Sequence, residues 1–246
     1  MKVAAVIQAR MTSTRLPGKA LKTLCGEPML LWVLSRVQRI ELVDDVVVAI
    51  PDGPDHQPIA TCLEAHPDIT LVRGPEHDVL TRTLMAGKAV NADAIVRITS
   101  DCPMIDPDVC SSLVSAWRCS GARYGRLAFN SGFPLGFDTE VFRLEDLEKA
   151  ASESSDPYER EHATPFLWRN PDRFPAIYID ANPNRRHWRL VVDTEDDFRL
   201  AEAIYERLGP DFRYLDLVRL FEKEPRLLAI NSNVVQTEYL GLPKGK

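Results

Sequence analysis

The sequence predicts an α/β fold in three layers, a mostly parallel sheet covered on both faces by helices. Three observations point there. Short, continuous apolar runs recur along the first half of the chain: VAAVI from Val3, DVVVAI from Asp45 and AIVRIT from Ala94. Runs of this kind mark strands buried on both faces, as parallel sheets require. Segments of helical length separate them, which is the alternation of βαβ units. Finally, 246 residues at 45% apolar and 27% charged composition can bury a sizeable core without a disulfide or a structural metal.

Residues 3–9 read as the first strand. A turn-rich loop containing Thr12, Ser13, Thr14, Pro17 and Gly18 follows, and then a helix over 28–39. Residues 45–50 form a second strand, stopped by Pro51 and Gly53. A short helix at 59–65, a third strand at 69–72, a helix at 78–89 and a fourth strand at 94–99 continue the pattern. Residues 107–120 give the next helix, with Asp106 before Pro107 as its N-cap. From 121 to about 180 the alternation breaks down, although 144–154 reads as a polar helix. Regularity returns with a strand at 189–192 and a helix at 195–208, followed by a short helix and an irregular tail that includes AINSNVVQTEY. The chain thus reads as one domain, 1–246, in three parts: 1–120, an insertion over 121–188, and a return strand, helix and tail over 189–246.

Charge and cysteine usage narrow the function classes. The net charge of −6, with no basic tail, argues against a nucleic-acid partner, which needs a basic stripe against phosphates. Five cysteines without a C-x-x-C pair argue against zinc knuckles and disulfide frameworks. The apolar run at the N-terminus is too short for a signal peptide, and no stretch approaches the roughly 20 apolar residues of a membrane span. The expected location is the cytoplasm, away from membranes.

The segment QARMTSTRLPGK, residues 8–19, places Arg10, Arg15 and Lys19 in a Ser/Thr/Gly/Pro-rich loop directly after the first strand. Open α/β sheets bind ligands at the carboxyl ends of their strands. A polyphosphate wants forked guanidinium donors, a point-charge ammonium and close backbone N–H groups. The loop is not a Walker A motif, and no G-x-G-x-x-G occurs, so a dinucleotide-dependent dehydrogenase is disfavoured. Taken alone, the three cations fit solvated surface charge equally well.

Two aspartates stand at other strand ends: Asp101, after the strand ending at Thr99, and Asp193, after RLVV. Magnesium is held by one or two carboxylates with phosphate oxygens and waters completing an octahedron. Each has a plain alternative. Asp101 can cap a turn ahead of Pro103, and Asp193 can be the N-cap of the next helix with Asp196 at its third position.

Four blocks together resemble a known family: VIQARMTSTRLPGKALKTLCGEPML (6–30), VRITSDCPMIDPDV (96–109), GFDTEVF with DPYEREHATPFLWRNP (136–171) and LVVDTEDDFRLAEAIYE (190–206). They are similar to the cytidylyltransferases that make CMP-sugar acids, such as CMP-Kdo synthetase and acylneuraminate cytidylyltransferase, and more so to the spore coat polysaccharide biosynthesis protein F branch. The resemblance implies a nucleotide-diphospho-sugar transferase fold of the GT-A type, with CTP in the nucleotide-binding half, 1–120. It implies Arg10, Arg15 and Lys19 on the triphosphate, with Ser13 in the same loop. Ala9 backbone, Arg73 and Asp78 would lie near cytosine and ribose. Asp101 and Asp193 would be the magnesium ligands, with Arg15, Lys19 and both aspartates acting in catalysis and Asp101 also contacting the nucleotide. A homodimer is typical of such relatives. Two departures stand out. Val191 occupies a position where sialic acid synthetases often carry a further aspartate, which weakens the case for a second metal ion. Ser100 stands where the spore coat branch commonly has glycine.

The expected reaction is attack of an acceptor oxygen on the α-phosphorus of CTP, with release of pyrophosphate, for the biosynthesis of a cell-surface polysaccharide or glycoconjugate. On the acceptor side, Asp138 and Glu140 can bond sugar hydroxyls, and Tyr158, Arg160, Glu161 and His162 form a dense polar cluster. Arg185 and Arg186 precede the return strand, and a carboxylate-bearing acceptor would suit Arg186. Glu140 is placed in the site because an unpaired buried carboxylate is costly. Trp117, Trp168 and Trp188 are read as core or interface residues. Two rival readings remain: a sugar-1-phosphate nucleotidylyltransferase, and a non-catalytic nucleotide-binding protein of the same fold.

Overall fold

A computed structural model describes residues 1–127 and 132–235. Among the described residues seven strands form one sheet in the order β5-β4-β1-β6-β8-β7-β9. These are β1 (Val3–Gln8), β4 (Asp45–Pro51), β5 (Thr70–Gly74), β6 (Ala94–Thr99), β7 (Tyr124–Arg126), β8 (Glu140–Arg143) and β9 (Ala176–Tyr178). A small antiparallel pair, β2 (Thr23–Leu24) and β3 (Glu27–Pro28), stands apart. The apolar runs make the centre, with β1 parallel to β4 and β6, and β4 parallel to β5. Only β8 runs antiparallel to its neighbours, β6 and β7. Consequently the ends of β1, β4, β5, β6, β7 and β9, and the start of β8, all lie along one edge of the sheet.

Helices cover both faces. One core gathers α1 (Met29–Val37), α2 (Gln57–Leu63), α4 (Pro107–Ser120), α8 (Glu195–Leu208) and α9 (Tyr214–Lys223) against one face. The other face packs α3 (Val79–Ala89), α5 (Leu144–Glu153) and α7 (Pro165–Arg169). A short helix, α6 (Pro157–His162), packs on α3 and α7. The spacing of apolar residues explains the embedding: α1 buries Met29, Leu30, Val33, Leu34 and Val37, one stripe of a 3.6-residue repeat. Asp106 caps α4 as expected, accepting from the N–H groups of Asp108 and Val109 at 2.8 and 2.9 Å.

Three expectations change. Residues 189–192 are not a strand of the sheet. They are an irregular segment that makes a parallel bridge, Leu135 with Arg189. Val192 N–H donates to Asp101 O at 2.8 Å, so the segment is stitched to the loop after β6 instead. The N-cap of α8 is Thr194, not Asp193, and Asp197 rather than Asp196 completes the capping box. That one-residue shift leaves the Asp193 carboxylate outside the helix. The region 121–180, irregular by sequence, extends the sheet with β7, β8 and β9. Of the tryptophans, Trp117 and Trp188 are buried and Trp168 is half-buried. The tail beyond 235 lies outside the described residues.

No described helix is long and apolar enough to cross a membrane.

Candidate active site

The loop after β1 closes on itself before it reaches Lys19. Gly18 N–H donates to Met11 O at 3.0 Å, and Gly18 sits in the left-handed region at φ 71°, which glycine adopts without strain. Leu16 N–H donates to Ser13 Oγ at 3.4 Å. The buried ring of His56, on the loop after β4, accepts Met11 N–H at Nδ1, 3.2 Å away. Thr12 Oγ1 donates to Glu76 at 2.8 Å. The loop is therefore held from two neighbouring strand ends. Its cations divide: Lys19 is only 7% exposed, whereas Arg10 and Arg15 are exposed.

Lys19 Nζ uses all three of its protons. It donates to Asp101 Oδ2 at 2.9 Å, Asp193 Oδ1 at 2.8 Å and Val192 O at 2.8 Å. Arg15 Nη2 lies 2.8 Å from Asp193 Oδ2, and Arg189 Nη2 lies 3.0 Å from the same oxygen. Thr99 Oγ1 donates to Asp101 Oδ1 at 2.5 Å. Burial opposes charge on both partners, yet each ends up charged. Burial lowers the Lys19 pKa, but Asp101 and Asp193 outweigh it and the net shift is upward. Burial raises Asp101, but Lys19 and the Thr99 hydroxyl hold it down at about 2.

The pair of carboxylates converging on one cation fits a divalent metal. Two carboxylates aimed at a single ammonium are the donor set from which Mg2+ takes one or two ligands. Among the described residues no group of three or more acidic, His or Cys side chains forms a closed metal cage. Phosphate oxygens and water would have to complete the shell.

Sequence reasoning missed the support behind Asp193. Arg189 is buried and donates to Asp197 Oδ1 at 2.8 Å and Oδ2 at 3.0 Å, as well as to Asp193. Buried Asn231 donates to Asp197 Oδ1 at 2.8 Å and to Arg189 O at 2.9 Å, tying the segment after α9 to the site. Asp197 is pulled below the ordinary carboxylate value: burial works against this, and the bonds from Arg189 and Asn231 overcome it. Nothing local in RLVVDTEDD separates a buried arginine from a solvated one. His56 offered a faint signal, a histidine in a Pro/Gly-rich loop at a strand's carboxyl end.

The remaining predicted residues are distributed unevenly. Ala9 is buried, its N–H bonded to Ala49 O at 3.2 Å. Arg73, at the end of β5, donates to Gln57 at 2.7 Å. The Asp78 carboxylate caps α3 through Thr81 N–H at 2.9 Å and pairs with Arg160 at 3.0 Å, so Arg160 straps α6 to the start of α3. Asp138 accepts from Gly136 N–H at 3.1 Å and pairs with Arg186 at 3.2 Å, so Arg186 is not a solvated loop charge. Arg185 lies over the Trp188 ring at 5.2 Å. Glu161 is exposed beside half-buried His162, whose pKa falls chiefly through burial. The Tyr158 and His162 rings lie 4.3 Å apart.

Glu140 corrects the expectation of a direct acceptor contact. It is 3% exposed and fully engaged: Arg97 Nη1 at 2.6 Å, Thr164 Oγ1 at 2.7 Å, the Tyr124 hydroxyl, and Arg126 at 3.9 Å. Burial would raise its pKa, but Arg97 and Arg126 bring it below the usual value. It is a counter-ion that positions two arginines.

Comparison with known proteins agrees with this architecture. A family model described as cytidylyltransferase matches residues 4–224. The spore coat polysaccharide biosynthesis protein SpsF of Bacillus subtilis is 30% identical, over 89% of this chain and 94% of that protein. A cytidylyltransferase from Leptospira borgpetersenii superposes with a TM-score of 0.87 at 32% identity, covering 97% of this chain and 99% of that one. The CMP:2-keto-3-deoxy-manno-octonic acid synthetase, solved with CTP, shares the fold at a TM-score of 0.63 and 19% identity, over 84% of this chain and 99% of that one. The chain belongs to the cytidylyltransferase family and is a CTP-dependent nucleotidyltransferase.

Proposed function

We propose that the chain transfers CMP from CTP to a sugar acid or sugar-like acceptor and releases pyrophosphate. One observation carries the reading: Lys19, Asp101 and Asp193 meet within 2.9 Å at the sheet edge, beside a backbone-closed loop that presents Arg10 and Arg15. A hydroxyl oxygen of the acceptor attacks the α-phosphorus of CTP, the bond from that phosphorus to the α,β-bridging oxygen breaks with its electrons leaving on pyrophosphate, and the hydroxyl proton passes to water. Arg10, Arg15, Lys19 and the Ser13 segment are assigned to the triphosphate, where fixed cations stabilise charge on the departing pyrophosphate. Ala9 backbone and Arg73 are assigned to the nucleoside, and Asp78 acts there only through the loop it organises.

Asp101 and Asp193 would hold a Mg2+. Such an ion neutralises triphosphate charge and eases loss of the acceptor proton. In the free chain Lys19, Arg15 and Arg189 together balance the charge of the same carboxylates. Asp138 and Arg186, paired at 3.2 Å, are assigned to the acceptor side.

Support for the acceptor class comes from the relatives, whose names include a spore coat polysaccharide biosynthesis protein and a 2-keto-3-deoxy-manno-octonic acid synthetase. A role in surface polysaccharide or glycoconjugate biosynthesis, a cytoplasmic location where CTP is made, and a homodimer belong to the same proposal. The test is a panel of four nucleoside triphosphates against sugar acids, sugar phosphates and neutral sugars, following pyrophosphate. Release with CTP and a sugar acid supports the reading. Release only with a sugar 1-phosphate assigns the chain to the rival phosphate-acceptor chemistry.

A further inference from the structure

A second charged cluster lies at the same sheet edge, on the face covered by α3, α6 and α7. Its centre is the paired positions Arg97 on β6 and Glu140 on β8, with Arg126 of β7 opposite the same glutamate. Gln8, at the end of β1, accepts Arg97 Nη2 at 2.9 Å and donates to Thr83 at 2.6 Å. On α6 the Tyr158 and His162 rings lie 4.3 Å apart; the Tyr158 ring lies under the Arg169 guanidinium at 4.8 Å and feels the charge of Arg169 and then of Arg126, while His162 feels Arg97 and Glu140. The cluster adjoins the aspartates. Arg97 and Thr99 are two residues apart on β6 and face the same side, and Thr99 holds Asp101.

Two features of this cluster are not those of a closed ion pair. Two guanidiniums share the Glu140 carboxylate, and Arg10 and Arg82 add positive charge nearby. Arg82 feels this directly: burial and then Arg10 bring its pKa to about 10, with Arg97 acting in the same direction. In addition, Arg97 Nε and the Tyr158 hydroxyl are sealed from solvent with no hydrogen-bond partner among the described residues. Buried donors left unsatisfied are rare and costly, and each calls for an acceptor. The cluster is nonetheless open at its rim, since Tyr158 and His162 are half-buried and Arg10 is exposed.

We infer that Arg97, Arg126 and the Tyr158 hydroxyl form a recognition site for an oxyanion carried by the acceptor, a carboxylate or a phosphoryl group. The inference rests on the nucleotidyl-transfer reading above and deepens it. Arg97 and Arg126 supply forked donors held in place by Glu140 and Gln8, and the tyrosine hydroxyl supplies a third. The acceptor's charged end would be anchored beside Asp101, leaving its hydroxyl toward the α-phosphate.

The experiment loads the full chain with Mg2+ and cytidine 5′-(α,β-methylene)triphosphate, which cannot be cleaved to CMP. The loaded protein is then titrated calorimetrically with inorganic phosphate and, separately, with glucuronate. Tyr158→Phe removes only the unpartnered hydroxyl, so its melting temperature should equal or exceed that of the wild type. Its anion affinity should fall several-fold, while analogue affinity stays within about twofold. Arg97→Gln should lose roughly tenfold, the worth of a charged hydrogen bond, and Arg97→Lys should recover part of it. Preference for glucuronate marks a carboxylate acceptor, and preference for phosphate marks a phosphoryl one. Either preference supports the site if it is lost in the variants. Unchanged anion affinity in Tyr158→Phe and Arg97→Gln, or no anion binding by the wild type, overturns it while leaving the nucleotide reading intact. Equal loss of analogue and anion affinity overturns it too, by assigning the cluster to the nucleotide. If the wild type fails to bind the analogue, the nucleotide reading falls. Loss of anion binding in Tyr158→Phe would then still support the oxyanion site by itself.

Discussion

Asp101 and Asp193, one after β6 and the other before α8, share a single ammonium: Lys19 Nζ stands 2.9 Å from the first and 2.8 Å from the second. A backbone bond from Val192 N–H to Asp101 O, 2.8 Å long, runs beside it. The site is thus assembled from three distant stretches of chain and fixed by charge.

Replacing either aspartate with asparagine keeps the shape and removes the charge. Outer-shell partners of metal ligands already cost about 10–100-fold in activity when lost. Asp101→Asn or Asp193→Asn is expected to cost more than about 100-fold in turnover, with far-ultraviolet circular dichroism unchanged. Normal turnover of Asp101→Asn at low magnesium would rule out the metal role.

Lys19→Met removes the shared cation and leaves two carboxylates facing each other. In metal-free buffer the variant should be less stable by about 1–3 kcal/mol, the cost of leaving the buried Val192 carbonyl without its side-chain donor and both carboxylates short of one. Because its vacated carboxylates favour a divalent ion, Mg2+ should raise the melting temperature of Lys19→Met more than that of the wild type. Equal shifts in thermal scans would argue that the ion binds elsewhere.

Gly136→Ala tests how the 188–193 segment is held. Gly136 has φ 103°, and a Cβ there would lie 2.6 Å from Leu190 C and Val191 N. Strain and overlap together should destabilise by more than about 1 kcal/mol. They should also displace Asp193, so activity falls further than stability alone explains. Denaturant titration and pyrophosphate assays on the same sample separate the two.

The pH dependence of stability should carry a signature of His56. Burial lowers its pKa, with Glu76 opposing. Above the unfolded value of about 6.5 both states hold a neutral ring and His56 adds no pH dependence. As pH falls below that, the unfolded chain takes up a proton that the folded chain resists, so stability drops until the lower folded-state pKa is passed. Protonation would also break the bond from Met11 N–H. His56→Gln is expected to flatten the slope between pH 7 and 5 in urea titrations, and His162, shifted the same way, supplies a remaining part.

Much of the fold could be read from local pattern. The strand 94–99 and the helices 107–120 and 195–208 are found with the expected bounds, because continuous apolar runs and Pro or Asp/Thr starts are short-range signals. The strand expected at 189–192 failed for a tertiary reason: its partners are Leu135 and Asp101, not a sheet neighbour. Lys19, Asp101 and Asp193 could be picked out because each follows a strand or strand-like run in a polar loop. Glu140 could not be interpreted without Arg97 and Arg126, which come from other strands and meet it only through register. Arg189, Asn231 and His56 escaped for the same reason, since their partners are distant in sequence.

Mg2+-dependent binding of CTP, compared between wild type and Asp101→Asn by calorimetry, tests the clamp itself. With the two aspartates and the loop cations acting on one metal–triphosphate, Mg2+ should tighten CTP binding to the wild type by at least about tenfold, or roughly 1.4 kcal/mol. Asp101→Asn should lose that gain. Equal CTP affinity with and without Mg2+ in the wild type, or an undiminished gain in the variant, would contradict the account.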